Sequence, residues 1–323
     1  MFERIIVTLD GSASSEAALP AAQALARRFG SSLVLLHVIE AGHPSKVHGE
    51  RHLSKREEAE AYLESIARRL RSEGLGASAH VHDAAVESEG GREASGSRGV
   101  AATVSAHEAE FGNDLAVMAA HGRRGLAEVL SGSLPLKVAA AGGAAVLLVP
   151  RLKEGREGLE PAYSPAFAPS RILLPLDGQS DHEAVLPAAL ALARALGIPL
   201  RLLGVTPRSA AEAGGAGLAF ARIAPALSGA SLEYQAEGEG RYLAGLAERL
   251  RAEGFAVDWE VLRGRPARRI VAAAEAGDLI ALSTHRKLGL DASLDGCVAF
   301  GVASAWGGSM LVAPVPRKSG ESG

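Results

Sequence analysis

The chain has 323 residues, of which 47% are hydrophobic and 22% are charged, and its formal net charge is −3. This composition excludes a disordered chain, and the small negative charge excludes a global basic field that would attract nucleic acid or an anionic membrane. The single cysteine, Cys297, excludes an intrachain disulfide and a cysteine-rich zinc site. We therefore expect a folded protein in a reducing compartment, with no nucleic-acid partner and no membrane partner.

We expect no export signal, because Glu3 and Arg4 are followed directly by an apolar run that predicts a strand. The longest apolar stretch, at 138–149, is shorter than the ~20 residues that a membrane-spanning helix needs. We expect a cytoplasmic protein.

Short apolar runs alternate with longer segments of helical period in the first 150 residues. The runs at 4–9, 33–39, 115–120 and 145–149 are continuous, as in strands that are buried on both faces. The segment at 57–70 has helical period and predicts a helix. Strands that alternate with helices predict right-handed βαβ units, and hence an α/β domain with a parallel sheet.

The same pattern occurs a second time in the chain. Residues 5–38 align without a gap onto residues 172–205, which places Asp10 opposite Asp177. Later blocks also align, and they pair Tyr62 with Tyr242 and His121 with His285, among others. We predict two tandem α/β domains, each with a parallel sheet flanked by helices.

The boundaries follow from composition and from the gaps in this alignment. We predict a first domain at 1–150, a linker at 151–170, a second domain at 171–316 and a tail at 317–323, since the linker is rich in charge and proline. Two segments that lack a counterpart in the other half are predicted to be loops, namely 87–98 and 209–229.

The carboxyl end of the first strand carries the first candidate ligand-binding residue. In an open parallel sheet, ligands bind beyond the carboxyl ends of the strands, where Asp10 and Gly11 follow the first apolar run. The Asp10 carboxylate is suited to accept hydrogen bonds from a ribose hydroxyl or an adenine edge. It is equally suited to satisfy backbone donors in the turn that follows, so both interpretations stay open.

The fourth strand is followed by a loop that leads to a predicted helix start at Gly132 and Ser133. Glycines allow the backbone to approach an anion closely, and the amides at a helix N-terminus attract phosphate oxygens. Arg123 and Arg124 add positive charge nearby. The alternative is an ordinary helix cap with solvated arginines.

The spacing in this loop resembles the nucleotide signature of the universal stress protein family: Gly, two residues, Gly, nine residues, Gly, and Ser or Thr. Here Ala119 is followed after two residues by Gly122, and nine further residues precede Gly132 and Ser133. The only departure is Ala119, where the nucleotide-binding members have glycine. The start of the chain, with Leu9 and Asp10 ending the first strand, is also similar to that family.

The resemblance implies that both domains are Rossmann-like, of the adenine nucleotide alpha hydrolase-like type, each with a five-stranded parallel sheet flanked by helices. It also implies ATP binding in the first domain, with Mg²⁺ accompanying the nucleotide. It also implies which residues bind it. Thr8, Leu9, Asp10, Val38 and Met118 would surround the base and sugar, Ala119 would lie against the ribose-phosphate, and Gly122, Gly132, Ser133 and the amide of Leu134 would bind the phosphates.

The second domain departs further from the signature. Arg286 replaces a phosphate-binding glycine and Cys297 replaces the hydroxyl donor, while Asp291 and Asp295 add negative charge to the loop. Sterics and charge both oppose a polyphosphate there, so we predict a degenerate second site.

The resemblance favours a stress-response nucleotide-binding protein with no catalytic residues, which hydrolyses ATP very slowly at most. Partners would be an adenine nucleotide and an unidentified protein, and the two domains would pair as an internal pseudo-dimer, with a homo-oligomer left open. The alternative is a nucleotide-free interaction or assembly module, which Ala119 and Arg286 favour.

Several histidines are candidates for metal ligands. His43, His48 and His52 share one stretch, and His80 and His82 lie at the end of another predicted strand. Surface histidines are common without a metal, and no cysteine lies near them. We therefore expect no metal site.

Overall fold

The computed structural model describes residues 2–39, 46–47, 50–51, 53–83, 97–112, 115–120, 134–150, 167–209, 225–284 and 298–315. The chain divides into two compact units, one built mainly on Met1–Ala168 and the other mainly on Pro169–Ser283. Below, the first half of the chain means residues 1–168 and the second half means residues 169–315, as they follow in the sequence.

The first half alternates strands and helices. Its strands are β1 (Arg4–Thr8), β2 (Ser32–Ile39), β3 (Lys46–Val47), β4 (Glu50–Arg51), β5 (Ala77–Asp83), β6 (Leu115–Ala120) and β7 (Ala145–Pro150). Its helices are α1 (Ala13–Glu16), α2 (Leu19–Phe29), α3 (Arg56–Ser72), α4 (Ser97–Phe111) and α5 (Leu134–Ala141).

The second half repeats this arrangement. Its strands are β8 (Arg171–Pro175), β9 (Leu200–Thr206), β10 (Val257–Arg263), β11 (Asp278–Thr284) and β12 (Met310–Pro314). Its helices are a 3₁₀ helix (Ser180–Val185), α6 (Leu186–Leu196), α7 (Pro225–Ala252), α8 (Pro266–Ala273) and α9 (Val298–Ala305).

The strand order is the same in both halves. The five main strands of the first half lie in the order β7-β6-β1-β2-β5, and those of the second half in the order β12-β11-β8-β9-β10. Strand β1 pairs in parallel with both β2 and β6. The order therefore reverses beside the first strand of each half, and the predicted α/β fold with parallel sheets and flanking helices is confirmed.

Burial explains why the strands could be predicted from their continuous apolar runs. Ile5, Ile6 and Val7 of β1 are fully buried, because helices cover both faces of the sheet. Helices α2 and α6 both end at a glycine in the left-handed region, Gly30 with φ of 69° and Gly197 with φ of 67°. The repeat in the sequence is thus a repeat of local backbone conformation.

Two helices begin inside segments that were predicted to be loops. Helix α4 begins at Ser97, within the predicted loop 87–98, and helix α7 begins at Pro225, within the predicted loop 209–229. Proline suits the first turn of a helix, where its missing N–H leaves no hydrogen bond unmade. The other residues of the two segments lie outside the described residues, except Ser209.

Among the described residues, no helix has both the length and the apolar character that a membrane span requires.

Candidate functional site

The loop after β1 is organised by hydrogen bonds to Asp10. Its Oδ1 atom accepts from the backbone N–H of Ser12 at 2.9 Å and from the Ser12 hydroxyl at 2.6 Å. The Ser12 hydroxyl in turn accepts from the backbone N–H of Ser15 at 3.1 Å, which caps the short helix α1. The structural role that the sequence left open for Asp10 is therefore present, and a ligand at Asp10 would bind to a carboxylate already held in place.

The same loop is covered by Leu53, which is 1% exposed. Gly11 has φ of +88°, and a Cβ atom at this position would lie 2.6 Å from Cγ of Leu53. The backbone N–H of Leu53 donates to the carbonyl oxygen of Asp10 at 3.1 Å. Only glycine fits this close approach and this backbone conformation.

From inside the sheet, His37 connects the end of β1 with the segment that contains Leu53. It is 2% exposed, with Nδ1 at 2.7 Å from the carbonyl oxygen of Leu9 and Nε2 at 2.9 Å from that of Leu53. The ring thereby fastens the chain before α3 to the end of β1. The sequence analysis missed His37 and Leu53, because nothing in an apolar strand run or in a lone leucine signals such a contact.

The structure brings together several residues from the predicted site at the carboxyl ends of neighbouring strands. Thr8 is half-buried at the end of β1, where the pairing of Val7 with Val117 brings it close to Met118 of β6. Met118 is 2% exposed, and Val38, on the other side of β1, is 7% exposed. Because β1 lies between β2 and β6, these side chains flank the point where the strand order reverses.

The structure describes three of the remaining predicted residues. Leu9 is buried, Ala119 is half-buried beside Val149 of β7, and Leu134 is the half-buried first residue of α5. Gly122, Gly132 and Ser133, with His121 and the two arginines of the loop, lie outside the described residues. The structure thus describes the residues predicted to surround the base and sugar, and it describes Leu134 among those predicted to bind the phosphates.

In the second half, both oxygens of the equivalent aspartate have partners. Asp177 accepts from the backbone N–H of Gln179 at 3.1 Å and from its side-chain amide at 2.9 Å. Nδ1 of His182 lies 2.8 Å from each carboxylate oxygen of Asp177. The Asp177 carboxylate is thus engaged by two side chains, those of Gln179 and His182.

Glu239 of α7 reaches the end of β9 in the second half. Its Oε1 atom accepts from the backbone N–H of Val205, the counterpart of Val38, at 3.0 Å. A Cβ atom on Gly204 would lie 2.6 Å from this oxygen, so the glycine makes room for the carboxylate. Burial, with a smaller contribution from the charge of Asp177, raises the pKa of Glu239 to about 7. The first half has Ala59 at the position of Glu239 and His37 at that of Gly204.

One contact is the same in both halves. The hydroxyl of Tyr62 donates to Glu16 at 2.8 Å, and that of Tyr242 donates to Glu183 at 2.8 Å. Burial, followed by the neighbouring glutamate, raises the pKa of both tyrosines. These pairs fasten the long helix of each half to the first helical segment after its first strand, so they belong to the scaffold.

Two parallel α/β repeats with the same strand order, and with polar loops at the strand ends, define a tandem Rossmann-like protein. The sequence profile of the universal stress protein family matches residues 1–150 and again residues 169–314. The chain belongs to the universal stress protein family, as the sequence analysis predicted from its loop spacing. No curated protein matches the chain.

Solved structures share the fold over the whole chain. A universal stress protein from Archaeoglobus fulgidus DSM 4304 is 15% identical, with a TM-score of 0.63 over 97% of this chain and 96% of that one. A putative universal stress protein from Pseudomonas aeruginosa UCBPP-PA14 is 17% identical, with a TM-score of 0.59 over 97% and 93%. The cytoplasmic domain of a prokaryotic cation chloride cotransporter is 16% identical, with a TM-score of 0.51 over 97% and 95%. At these identities the similarity concerns the fold alone.

Proposed function

We propose that the first half binds an adenine nucleotide, ATP by the family resemblance, beyond the carboxyl ends of β1, β2 and β6. The observation that carries this proposal is the position of Thr8, Asp10 and Met118 on both sides of the point where the strand order reverses. Ligands of open α/β sheets bind at such a point, because the flanking helices diverge there.

The side chains around this position suit a nucleoside. Val38 and Met118 offer buried apolar surface to a base, and Asp10 offers a carboxylate to a ribose hydroxyl. The loop that contains Gly122, Gly132 and Ser133 would bind the phosphates with Mg²⁺. Because none of the site residues that the structure describes is arranged to activate water, we propose a binding protein whose nucleotide occupancy alters contacts with a protein partner in the cytoplasm.

The second half is proposed not to bind nucleotide. Asp177 already has His182 and Gln179 as hydrogen-bond partners. Glu239 accepts the hydrogen bond of the Val205 backbone N–H. A negatively charged phosphate chain would in addition meet Asp291 and Asp295 of the altered signature loop.

Calorimetric titration of the full chain with ATP and Mg²⁺ tests this proposal with a matched pair of variants. Asp10→Asn keeps an oxygen for the Ser12 donors but removes the charge, and it should weaken binding by about 10- to 100-fold, as expected for a charged hydrogen bond. Asp177→Asn is the same change in the second half and should leave binding unaltered. Equal effects of the two variants would contradict the assignment to the first half.

A second candidate is a nucleotide-free interaction module. It is favoured by the engagement of Asp10 Oδ1 with both donors of Ser12 and by Ala119, whose methyl group stands where nucleotide-binding relatives have glycine. Absence of any heat on titration with ATP would support this candidate, and recovery of binding by Ala119→Gly would then identify the methyl group as the cause.

A further inference from the structure

Three histidines of the first half meet between the edge strand β5 and helix α4. His80 and His82 alternate along β5 and therefore face the same side of the sheet. His107 comes from α4, whose buried residues Val100, Val104 and His107 recur at helical spacing toward the sheet. The sequence analysis considered the first two histidines but did not connect them with the third, since α4 follows them by many residues.

The ring nitrogens of these histidines are close together. Nε2 of His107 lies 2.8 Å from Nε2 of His80, and one nitrogen from each of the three rings lies within 4.8 Å of the others. The ring centroids of His82 and His107 are 4.8 Å apart, and Nε2 of His82 is buried. In a tetrahedral zinc site with Zn–N bonds of about 2.1 Å, neighbouring nitrogens are about 3.4 Å apart. Small side-chain movements would bring the ring nitrogens from their observed separations to this distance.

The tautomer of His107 suits metal binding. Its Nδ1 atom lies 2.8 Å from the carbonyl oxygen of Thr103, one turn earlier in α4, and donates to it. In the neutral ring, Nε2 then carries the lone pair, and this atom is the one that faces His80. A backbone carbonyl that holds the far nitrogen of a histidine is the usual outer partner of a metal ligand.

We propose that His80, His82 and His107 bind a divalent transition metal of the zinc type. Three imidazoles without a thiolate are a common ligand set for Zn²⁺ that leaves a fourth position open. Glu110 is suited to supply the fourth ligand, because its Oε2 atom lies 3.9 Å from Nε2 of His107 and its side chain is 64% exposed. The metal would fasten the edge strand β5 to α4.

The second half provides an internal comparison. Its strand β10 occupies the place of β5, with matching register to the neighbouring strand, and it carries Glu260 and Leu262 where β5 has His80 and His82. The position of His107 corresponds to Val271. The proposed site is therefore a feature of the first half alone.

The test uses the full chain without an affinity tag, stripped of metal with a chelator and titrated with ZnCl₂. We expect one equivalent of Zn²⁺ to bind and to raise the melting temperature, since binding to the native state stabilises it. Co²⁺ in place of Zn²⁺ should give the visible absorption bands of a tetrahedral site. His80→Gln and His107→Gln should each lower the affinity by more than the roughly 10- to 100-fold that changes to outer partners cause.

Matched controls separate this site from other histidines. His182→Gln, which changes a histidine of the second half, should leave Zn²⁺ affinity unaltered, as should joint replacement of His43, His48 and His52 by Gln. If circular dichroism shows that His107→Gln does not fold, the His80→Gln variant decides the question, because His80 is only half-buried. Absence of Zn²⁺ binding, or binding that survives His80→Gln but is lost with the joint replacement, would overturn the proposal.

Discussion

The two halves of the chain have the same scaffold but different side chains at the ends of their strands. Both halves have the same strand order, and in both a tyrosine hydroxyl donates a hydrogen bond to a glutamate carboxylate at 2.8 Å. At the end of the second strand, the first half has buried His37, whereas the second half has Gly204 with the Glu239 carboxylate beside it. The contacts that support the fold have been kept in both copies, while the groups that a ligand would meet have diverged.

This comparison also explains how the aspartates differ. Asp10 is held by Ser12, a small residue that also caps a helix, while Asp177 is held by Gln179 and His182. In the first half the aspartate loop is covered by Leu53. A Cβ atom on Gly178, the counterpart of Gly11, would lie 3.8 Å from Tyr242, an ordinary contact distance. The same aspartate-glycine pair thus lies in two different environments.

The largest effect is expected from alanine at these two glycines. Gly11→Ala should lower the free energy of unfolding by about 3 kcal/mol, because the left-handed backbone is strained and the new methyl group lies 2.6 Å from Leu53 Cγ. Gly178→Ala should cost only about 1 kcal/mol, the backbone strain alone, since Tyr242 leaves room for the methyl group. Urea unfolding of both variants checks the difference. Equal losses would mean that Leu53 does not constrain the first loop.

A smaller effect is expected from Glu239, whose pKa is raised to about 7 in the folded chain from an ordinary value of 4.5. Between these values the folded state binds more protons than the unfolded state, so stability should fall as the pH rises. Glu239→Gln keeps an oxygen for the N–H of Val205 but does not ionise. At pH 8 it should be more stable than the wild type by about 1 kcal/mol, a value reduced by partial exposure, and at pH 4 the difference should vanish.

Urea unfolding of Glu239→Gln and the wild type across this pH range provides the measurement. Parallel stability curves would show that the carboxylate is solvated, and that the second half has room at the end of β9 for another group.

Much of the fold could be predicted from the sequence because strands buried on both faces appear as continuous apolar runs. The strands predicted at 4–9 and 115–120 agree with β1 and β6 to within one residue, and the predicted helix at 57–70 lies inside α3. The start of α7 was missed, because its first turns are rich in glycine and small residues, and their apolar positions have no clear period.

The candidate site was predictable only where it depends on local sequence. Asp10 was predicted from its position at the end of an apolar run, and Met118 from the resemblance to the universal stress protein family. The contacts of His37 with Leu53, of Glu239 with Val205 and of His107 with His80 join residues that are distant in sequence. Such contacts depend on the packing of helices and loops on the sheet, which no local spacing in a single sequence reveals.

The central claim is that one half of this tandem chain is the nucleotide site. A crystal structure of the full chain grown with ATP and Mg²⁺ tests it most directly. The account predicts nucleotide density beyond the ends of β1 and β6, with the ribose near Asp10 and the phosphates near Ala119 and the loop that follows. Density near Asp177, or an empty first half at saturating ATP, would contradict it.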